Sequence, residues 1–225
     1  MDDSKKIIVA LDFNILNDAL ALVDNIDPSL CRMKIGKELF TKYGHKAVTE
    51  IQNKGFEVFL DLKFHDIPTT VYKACISALS LNIWMLNIHL TGGLDMTLAA
   101  MQAKNDCQSS CKLIGVTTLT SLSNDDCLMI YGCSRLEQLK RMKKIGMDGG
   151  IDGFVCSPYD IRTLKDSSKV YITPGIRIDS NKQDHHKVIS PKEAINLGSS
   201  YLVIGRSITK NPNPNNVLND IIKGL

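Results

Sequence analysis

Eight short apolar runs rich in β-branched residues, each followed by a stretch of helical period, constrain this chain more than any other feature. They are Lys6–Leu11, Arg32–Ile35, Phe56–Leu62, Ile83–His89, Lys112–Thr118, Ile151–Cys156, Lys169–Thr173 and Tyr201–Ile204. Between runs, Ile15, Leu16, Ala19, Leu20, Val23 and Ile26 form one apolar helical stripe, and Phe40, Tyr43, Ala47, Val48 and Ile51 form another. Helix-start signals agree: Ser134 with Glu137, and Ser190-Pro191 with Glu193, have the spacing of capping boxes, and Ser157-Pro158 is a weaker start. Strands alternating with helices throughout predict an α/β fold with parallel strands. Eight repeats predict one closed (β/α)8 TIM barrel spanning 1–225 as a single domain. The competing architecture is an open doubly wound sheet, whose dinucleotide-binding form is weakened because no Gly-x-Gly-x-x-Gly follows the first run.

The length of 225 residues fits either one barrel or two small domains, and 44% apolar with 23% charged residues is ordinary globular composition. Twenty-seven Lys+Arg against 24 Asp+Glu leave +3, too weak and scattered for a nucleic-acid groove but compatible with an anionic small molecule. The longest apolar runs, such as Ile7 to Leu11, are far below the roughly 18 residues a membrane span requires. The first residues are acidic and lack an apolar signal-peptide core, so a cytoplasmic protein is expected. Seven cysteines, odd in number and without a Cys-x-x-Cys pair, argue against a disulfide framework or a zinc site. No His-x-x-x-His pair occurs among the five histidines, and His185-His186 reads as a solvated pair. No metal is expected.

In such a barrel the chemistry gathers where strands end. Asp12 follows the first run, Lys34 lies in the second, Asp61 and Lys63 sit at the end of the third, and His89 closes the fourth. Thr117 to Ser121 follow the fifth run, Cys156-Ser157 the sixth, and Thr173 to Arg177 and Gly205 to Ser207 the last two. Strand alternation predicts that Asp61 and Lys63 share a face opposite Leu60, Leu62 and Phe64, with Asp66 in the turn before a helix that begins near Pro68. A salt bridge at the barrel mouth with Asp66 as a helix cap is the structural alternative. Gly175 with Arg177, and Gly205 with Arg206, stand in the two loops that hold phosphate in many barrels. There glycine admits backbone N–H groups and arginine offers a guanidinium fork.

These residues resemble the orotidine 5′-phosphate decarboxylase family. The resemblance rests on Asp-x-Lys-x-x-Asp-Ile-Pro-x-Thr at 61–70, Val-Ala-Leu-Asp at 9–12 and Lys-Ile-Gly at 34–36. Thr-Pro-Gly-Ile-Arg at 173–177 and Val-Ile-Gly-Arg at 203–206 match as well. It runs from about residue 7 to about residue 208, and the 61–70 block is its most specific part. It implies conversion of orotidine 5′-phosphate to uridine 5′-phosphate in de novo pyrimidine nucleotide synthesis, without a cofactor. Lys63 would be the proton donor within a Lys34, Asp61, Lys63 and Asp66 charge array. Asp12 and Lys34 would hold the ribose, Thr120 and Ser121 the pyrimidine, and Arg177, Gly205 and Arg206 the 5′-phosphate. The family is a homodimer with shared sites, so Asp66, Ile67 and Thr70 would reach the neighbouring subunit's pocket.

At one position this chain departs from the family pattern. A phosphate-contacting glutamine of the family falls by register on His185, within Gln183-Asp184-His185-His186. Either His185 replaces it as a donor or Gln183 does, in a polar stretch from Asp179 to Lys187 that suits a lid. A sugar-phosphate decarboxylase or synthase of the same superfamily shares Asp-x-Lys-x-x-Asp, but Ile67-Pro68-x-Thr70 and Asp12 favour the nucleotide enzyme. A non-catalytic phosphate-binding barrel would have no need of two carboxylates beside an anionic ligand.

Overall fold

The computed structural model describes residues 5–178 and 189–225. The chain begins β1 (Ile7–Leu11), α1 (Leu16–Val23), β2 (Arg32–Gly36), α2 (Lys37–Tyr43), α3 (His45–Asn53), β3 (Val58–Phe64) and α4 (Pro68–Leu79). It continues β4 (Met85–His89), a 3₁₀ turn at Leu90–Gly92, α5 (Gly93–Asp106), β5 (Lys112–Val116), α6 (Asn124–Tyr131), α7 (Arg135–Asp148) and β6 (Gly153–Val155). After a 3₁₀ turn at Pro158–Asp160 come α8 (Ile161–Leu164), β7 (Val170–Ile176), α9 (Pro191–Asn196), β8 (Tyr201–Ile204), α10 (Arg206–Thr209) and α11 (Pro214–Gly224). The eight strands pair in chain order into a closed parallel barrel, with β1 also pairing with β8. The expected (β/α)8 TIM barrel is therefore observed.

Two boundaries differ from the sequence expectation, each for a local reason. The second apolar stripe was expected on one helix, but Gly44, at φ 56° and ψ −139°, breaks it into α2 and α3. The seventh run was expected to stop at Thr173, ahead of a proline and a glycine. Instead β7 runs through Pro174 and Gly175 to Ile176. The expected capping role of Ser134 and Ser190 is present, since their side chains accept from the N–H groups of Glu137 and Glu193. The fully reciprocal capping box is another, Ser123 with Asp126, where aspartate replaces the usual glutamate.

The residues cluster into two compact units. One comprises Met1–Asp61 with Thr173–Leu225, the other Leu62–Ile172. In the first, β1 is buried along its whole length, as a parallel strand covered on both faces must be. Its strand starts carry structure rather than chemistry. Arg32, 1% exposed, meets Glu57 at 2.9 Å and the Lys5 carbonyl, and lies over the Tyr201 ring. In the second unit, Leu90, Leu139, Met142, Ile151, Phe154, Ile161, Leu164 and Tyr171 form a core in which the Phe154 and Tyr171 rings stack with centroids 6.2 Å apart.

Candidate active site

In the first unit, parallel register sets Lys34 of β2 level with Ala10 of β1 and Phe59 of β3, while Gly36 stands level with Asp61. The Lys34 side chain is 9% exposed, and its ammonium lies 3.3 Å from Asp12 Oδ1 and 3.4 Å from Asp61 Oδ2. A charge so buried is tolerable only when paired, and here two carboxylates share it. Asp61 is nearly enclosed at 14% exposure, whereas Asp12 is open at 68%. Gly36 keeps this space clear, because a Cβ there would stand 3.2 Å from Lys34 Nζ and 3.7 Å from Asp12 Oδ1. Asp12, Lys34 and Asp61 are thus brought together as the sequence predicts.

The same unit holds both glycine-arginine pairs, although Gly175, expected in a loop, lies within β7 and only Arg177 follows the strand. Gly205 caps α10 and faces Asp12, since a Cβ on it would lie 3.9 Å from Asp12 Oδ2. Arg206 and Arg177 are exposed, and the backbone N–H of Ile178 donates to Ser207 Oγ at 3.5 Å, which ties the loop after β7 to α10. Beneath them Thr173 Oγ1 and Ser199 Oγ are hydrogen-bonded at 2.6 Å. His185 and Gln183, with the whole stretch from Asp179 to Lys187, lie outside the described residues.

In the second unit, Lys63 has φ 52°, in the left-handed region that lysine rarely enters. Simple strand alternation therefore stops at Lys63, and parity with Asp61 does not fix where its side chain points. Its backbone N–H donates to Oδ1 of Asn87 at 2.7 Å, and Asn87 is fully buried in β4. Two residues on, His65 Nε2 lies 3.3 Å from Thr91 Oγ1, which also lies 2.7 Å from Nδ1 of His89. Asp66 is exposed and accepts the Ile67 N–H at 2.7 Å. It stands one residue outside the cap position that the structural alternative requires: Ile67 is the N-cap of α4, and Pro68 occupies the first turn. Ile67 is 66% exposed and Thr70 is exposed beside it. After β5, Thr117 donates to the Val155 carbonyl at 3.0 Å. Thr118 is 2% exposed with a hydroxyl lacking a hydrogen-bond partner among the described residues, and Thr120 and Ser121 are exposed.

Sequence reasoning missed Asn87, Thr91 and the Arg135–Asp160 clamp, in which both guanidinium ends bond the carboxylate at 2.9 and 2.7 Å. A polar residue inside the fourth apolar run was the available signal for Asn87. Nothing local marked the other two. Among the described residues, no group of three or more His, Cys, Asp or Glu side chains is arranged to hold a metal ion, and no helix is long and apolar enough to cross a membrane.

Residues 5–221 match the family model described as orotidine 5′-phosphate decarboxylase / HUMPS family. The chain belongs to that family. A protein of Shewanella sediminis named orotidine 5′-phosphate decarboxylase is 45% identical over 229 residues, covering 99% of this chain and 98% of the relative. One of Actinobacillus succinogenes with the same name is 47% identical over 229 residues, covering 98% and 97%. The crystal structure of orotidine 5′-phosphate decarboxylase from Lactobacillus acidophilus superposes with a TM-score of 0.85 at 31% identity, covering 98% of both chains. As an orotidine 5′-phosphate decarboxylase / HUMPS family member, the chain carries the Asp61 to Thr70 block at the end of β3 and start of α4, Gly175 near the end of β7 with Arg177 just beyond it, and Gly205-Arg206 after β8.

Proposed function

We propose that this chain is a carbon–carbon lyase that converts orotidine 5′-phosphate to uridine 5′-phosphate in pyrimidine nucleotide synthesis, acting as a single barrel domain over 1–225. Near full-length similarity to proteins of that name carries the reading, at 45 to 47% identity. The Lys34 ammonium held between Asp12 and Asp61 supports it, as a polar array at the strand ends able to hydrogen-bond hydroxyls such as those of a ribose.

In this reading, the bond from C6 to the carboxylate breaks, its electron pair remains on C6, and CO2 leaves. Lys63 offsets the charge developing at C6 and then delivers a proton from Nζ to it, to be recharged from solvent. Asp61 crowds the departing carboxylate, and Lys34, Asp61, Lys63 and Asp66 form the charge array around the reacting carbon. Asp12 and Lys34 hold the ribose hydroxyls, Thr120 and Ser121 meet the pyrimidine, and Arg177, Gly205, Arg206 and either His185 or Gln183 hold the phosphate. Binding energy from the phosphate, remote from C6, is realised in the transition state. The chemistry uses no metal or organic cofactor.

A homodimer with shared sites belongs to the same proposal. The exposure of Ile67 at 66% supports it, because an isoleucine at the head of α4 next to Asp66 would be covered by a second subunit. Leu128, Met129 and Ile130 of α6 are also exposed, at 48%, 85% and 57%. Free thiols suit a reducing compartment, and we place the enzyme in the cytoplasm.

The test is the ultraviolet spectrum of orotidine 5′-phosphate on adding the protein, with and without a chelator, for wild type and Lys63→Ala. Turnover by wild type in both conditions, and none by Lys63→Ala despite retained uridine 5′-phosphate binding, is expected. No turnover by wild type would overturn the function, and near wild-type turnover by Lys63→Ala would overturn the donor role.

A further inference from the structure

The ends of β3 and β4 are joined twice within the second unit. The first junction is the Lys63 N–H to Asn87 bond, and the second is a side-chain relay two residues further along both strands. Thr91 Oγ1 lies 2.7 Å from His89 Nδ1 and 3.3 Å from His65 Nε2, and the two imidazole centroids are 5.6 Å apart, tilted by 53°. The direction of the relay follows from a third contact. The backbone N–H of Thr91 points at His89 Nδ1, 3.4 Å away, and a backbone N–H can only donate. His89 Nδ1 is therefore an acceptor, and its ring proton sits on Nε2. With Nδ1 bare, the Thr91 hydroxyl donates to it, which leaves the Thr91 oxygen to accept from His65 Nε2–H. One hydroxyl thus fixes the proton positions facing it on two histidines.

The steric surroundings of His65 agree. Its Cδ2 lies where a side chain on Gly92 would intrude, since a Cβ there would be 3.1 Å from it and 2.1 Å from Met96 Sδ. The His65 ring is accordingly seated against the turn that follows β4 by shape and by a directed hydrogen bond. His65 stands between Lys63 and Asp66 in the chain, so whatever seats His65 sets how the left-handed Lys63 hands the chain on to the turn carrying Asp66.

We propose that Thr91 and His89 act as positioning residues, a hydroxyl–imidazole relay that seats His65 and thereby aligns Lys63 and Asp66 for proton delivery. The proposal rests on the decarboxylase reading for the roles of Lys63 and Asp66, but the relay itself is a feature of protonation and geometry. Two measurements test the two separately.

The first is independent of activity. Nitrogen-15 chemical shifts of the labelled protein should show His89 with an unprotonated Nδ1 and a protonated Nε2, and the Nδ1 resonance should shift in Thr91→Val, which keeps the backbone donor and removes the hydroxyl donor. A protonated Nδ1 in the wild type would overturn the relay, whatever the protein turns over.

The second uses orotidine 5′-phosphate. Thr91→Val keeps the shape and removes the hydroxyl, and it should lower kcat about tenfold to a hundredfold, as a displacement of up to about 1 Å at reacting groups can, with little change in KM. Thr91→Ser should restore most of the lost kcat, and adding His65→Gln to Thr91→Val should cost less than His65→Gln does alone. Wild-type kcat in Thr91→Val, or a Thr91→Ser protein as impaired as Thr91→Val, would overturn the relay. Neither result would touch the decarboxylase reading, which falls only if wild type fails to turn over.

Discussion

The backbone N–H of Lys63 donates to Oδ1 of the buried Asn87 at 2.7 Å, and Lys63 holds φ 52°. The two facts belong together. An L-residue in the left-handed region costs about 1 to 2 kcal/mol and persists when its surroundings determine it. A carboxamide on the adjacent strand, accepting from the Lys63 N–H, is such a determinant.

Glycine at this position should accordingly be kinder to the fold than alanine. Lys63→Gly and Lys63→Ala both lack the amine, yet the glycine variant should be more stable by about 1 kcal/mol in urea unfolding. Equal stability of the two would show that the left-handed conformation carries no strain.

Asn87→Ala should leave the Lys63 N–H without its acceptor. The expected cost is about 1 to 3 kcal/mol in stability, with a fall in kcat larger than the change in KM. An Asn87→Ala enzyme with wild-type kcat would mean that Lys63 is held by other contacts.

Gly36→Ala separates space from conformation. The residue has φ −91°, which alanine adopts freely, so stability should be unchanged or slightly raised. Its new Cβ would stand 3.2 Å from Lys34 Nζ, pushing the ammonium against its carboxylate partners. A drop in kcat/KM of about tenfold is expected with unchanged melting temperature. If kcat/KM is untouched, the Lys34 position has slack.

The shared-site dimer predicts complementation. Lys63→Ala and Asp66→Ala proteins, each inactive, should regain roughly a quarter of wild-type activity once mixed, since half the dimers are hybrids with one intact site of two. Exchange of subunits confirmed by mass, with no recovered activity, would reject sharing.

Thiol reactivity gives a check on packing alone. Burial pushes the thiols of Cys31, Cys75 and Cys111 up to about 12, and Cys127 and Cys156 are raised for the same reason, whereas Cys107 at the end of α5 is exposed. A chromogenic thiol reagent at neutral pH should label Cys107 promptly and the remaining six on unfolding. Rapid labelling of several cysteines in the native protein would contradict the core described above.

The barrel was legible in the sequence because its signal is periodic and repeated. Eight apolar runs separated by helical stripes leave few alternatives, and strand ends then mark Asp12, Lys34 and Asp61, whose charged groups meet in the first unit. What stayed hidden depends on single backbone torsions and on hydroxyls. No pattern of side chains announces that Lys63 turns left-handed or that Gly44 splits a helical stripe. Thr91 looks like any threonine after a strand, because its partners, His65 and His89, are chosen by the register of two strands and not by sequence spacing.

The left-handed Lys63 also bears on how this position can change over generations. The substitution that would relax its backbone is glycine, and glycine removes the amine on which the proposed chemistry depends. Arginine would retain a positive charge but would keep the torsional strain and alter the reach of the donor. Selection for a sturdier fold and selection for turnover therefore pull this codon in opposite directions. Gains in robustness would have to accumulate at other positions, among them the supporting residues of β4, leaving the lysine itself unaltered.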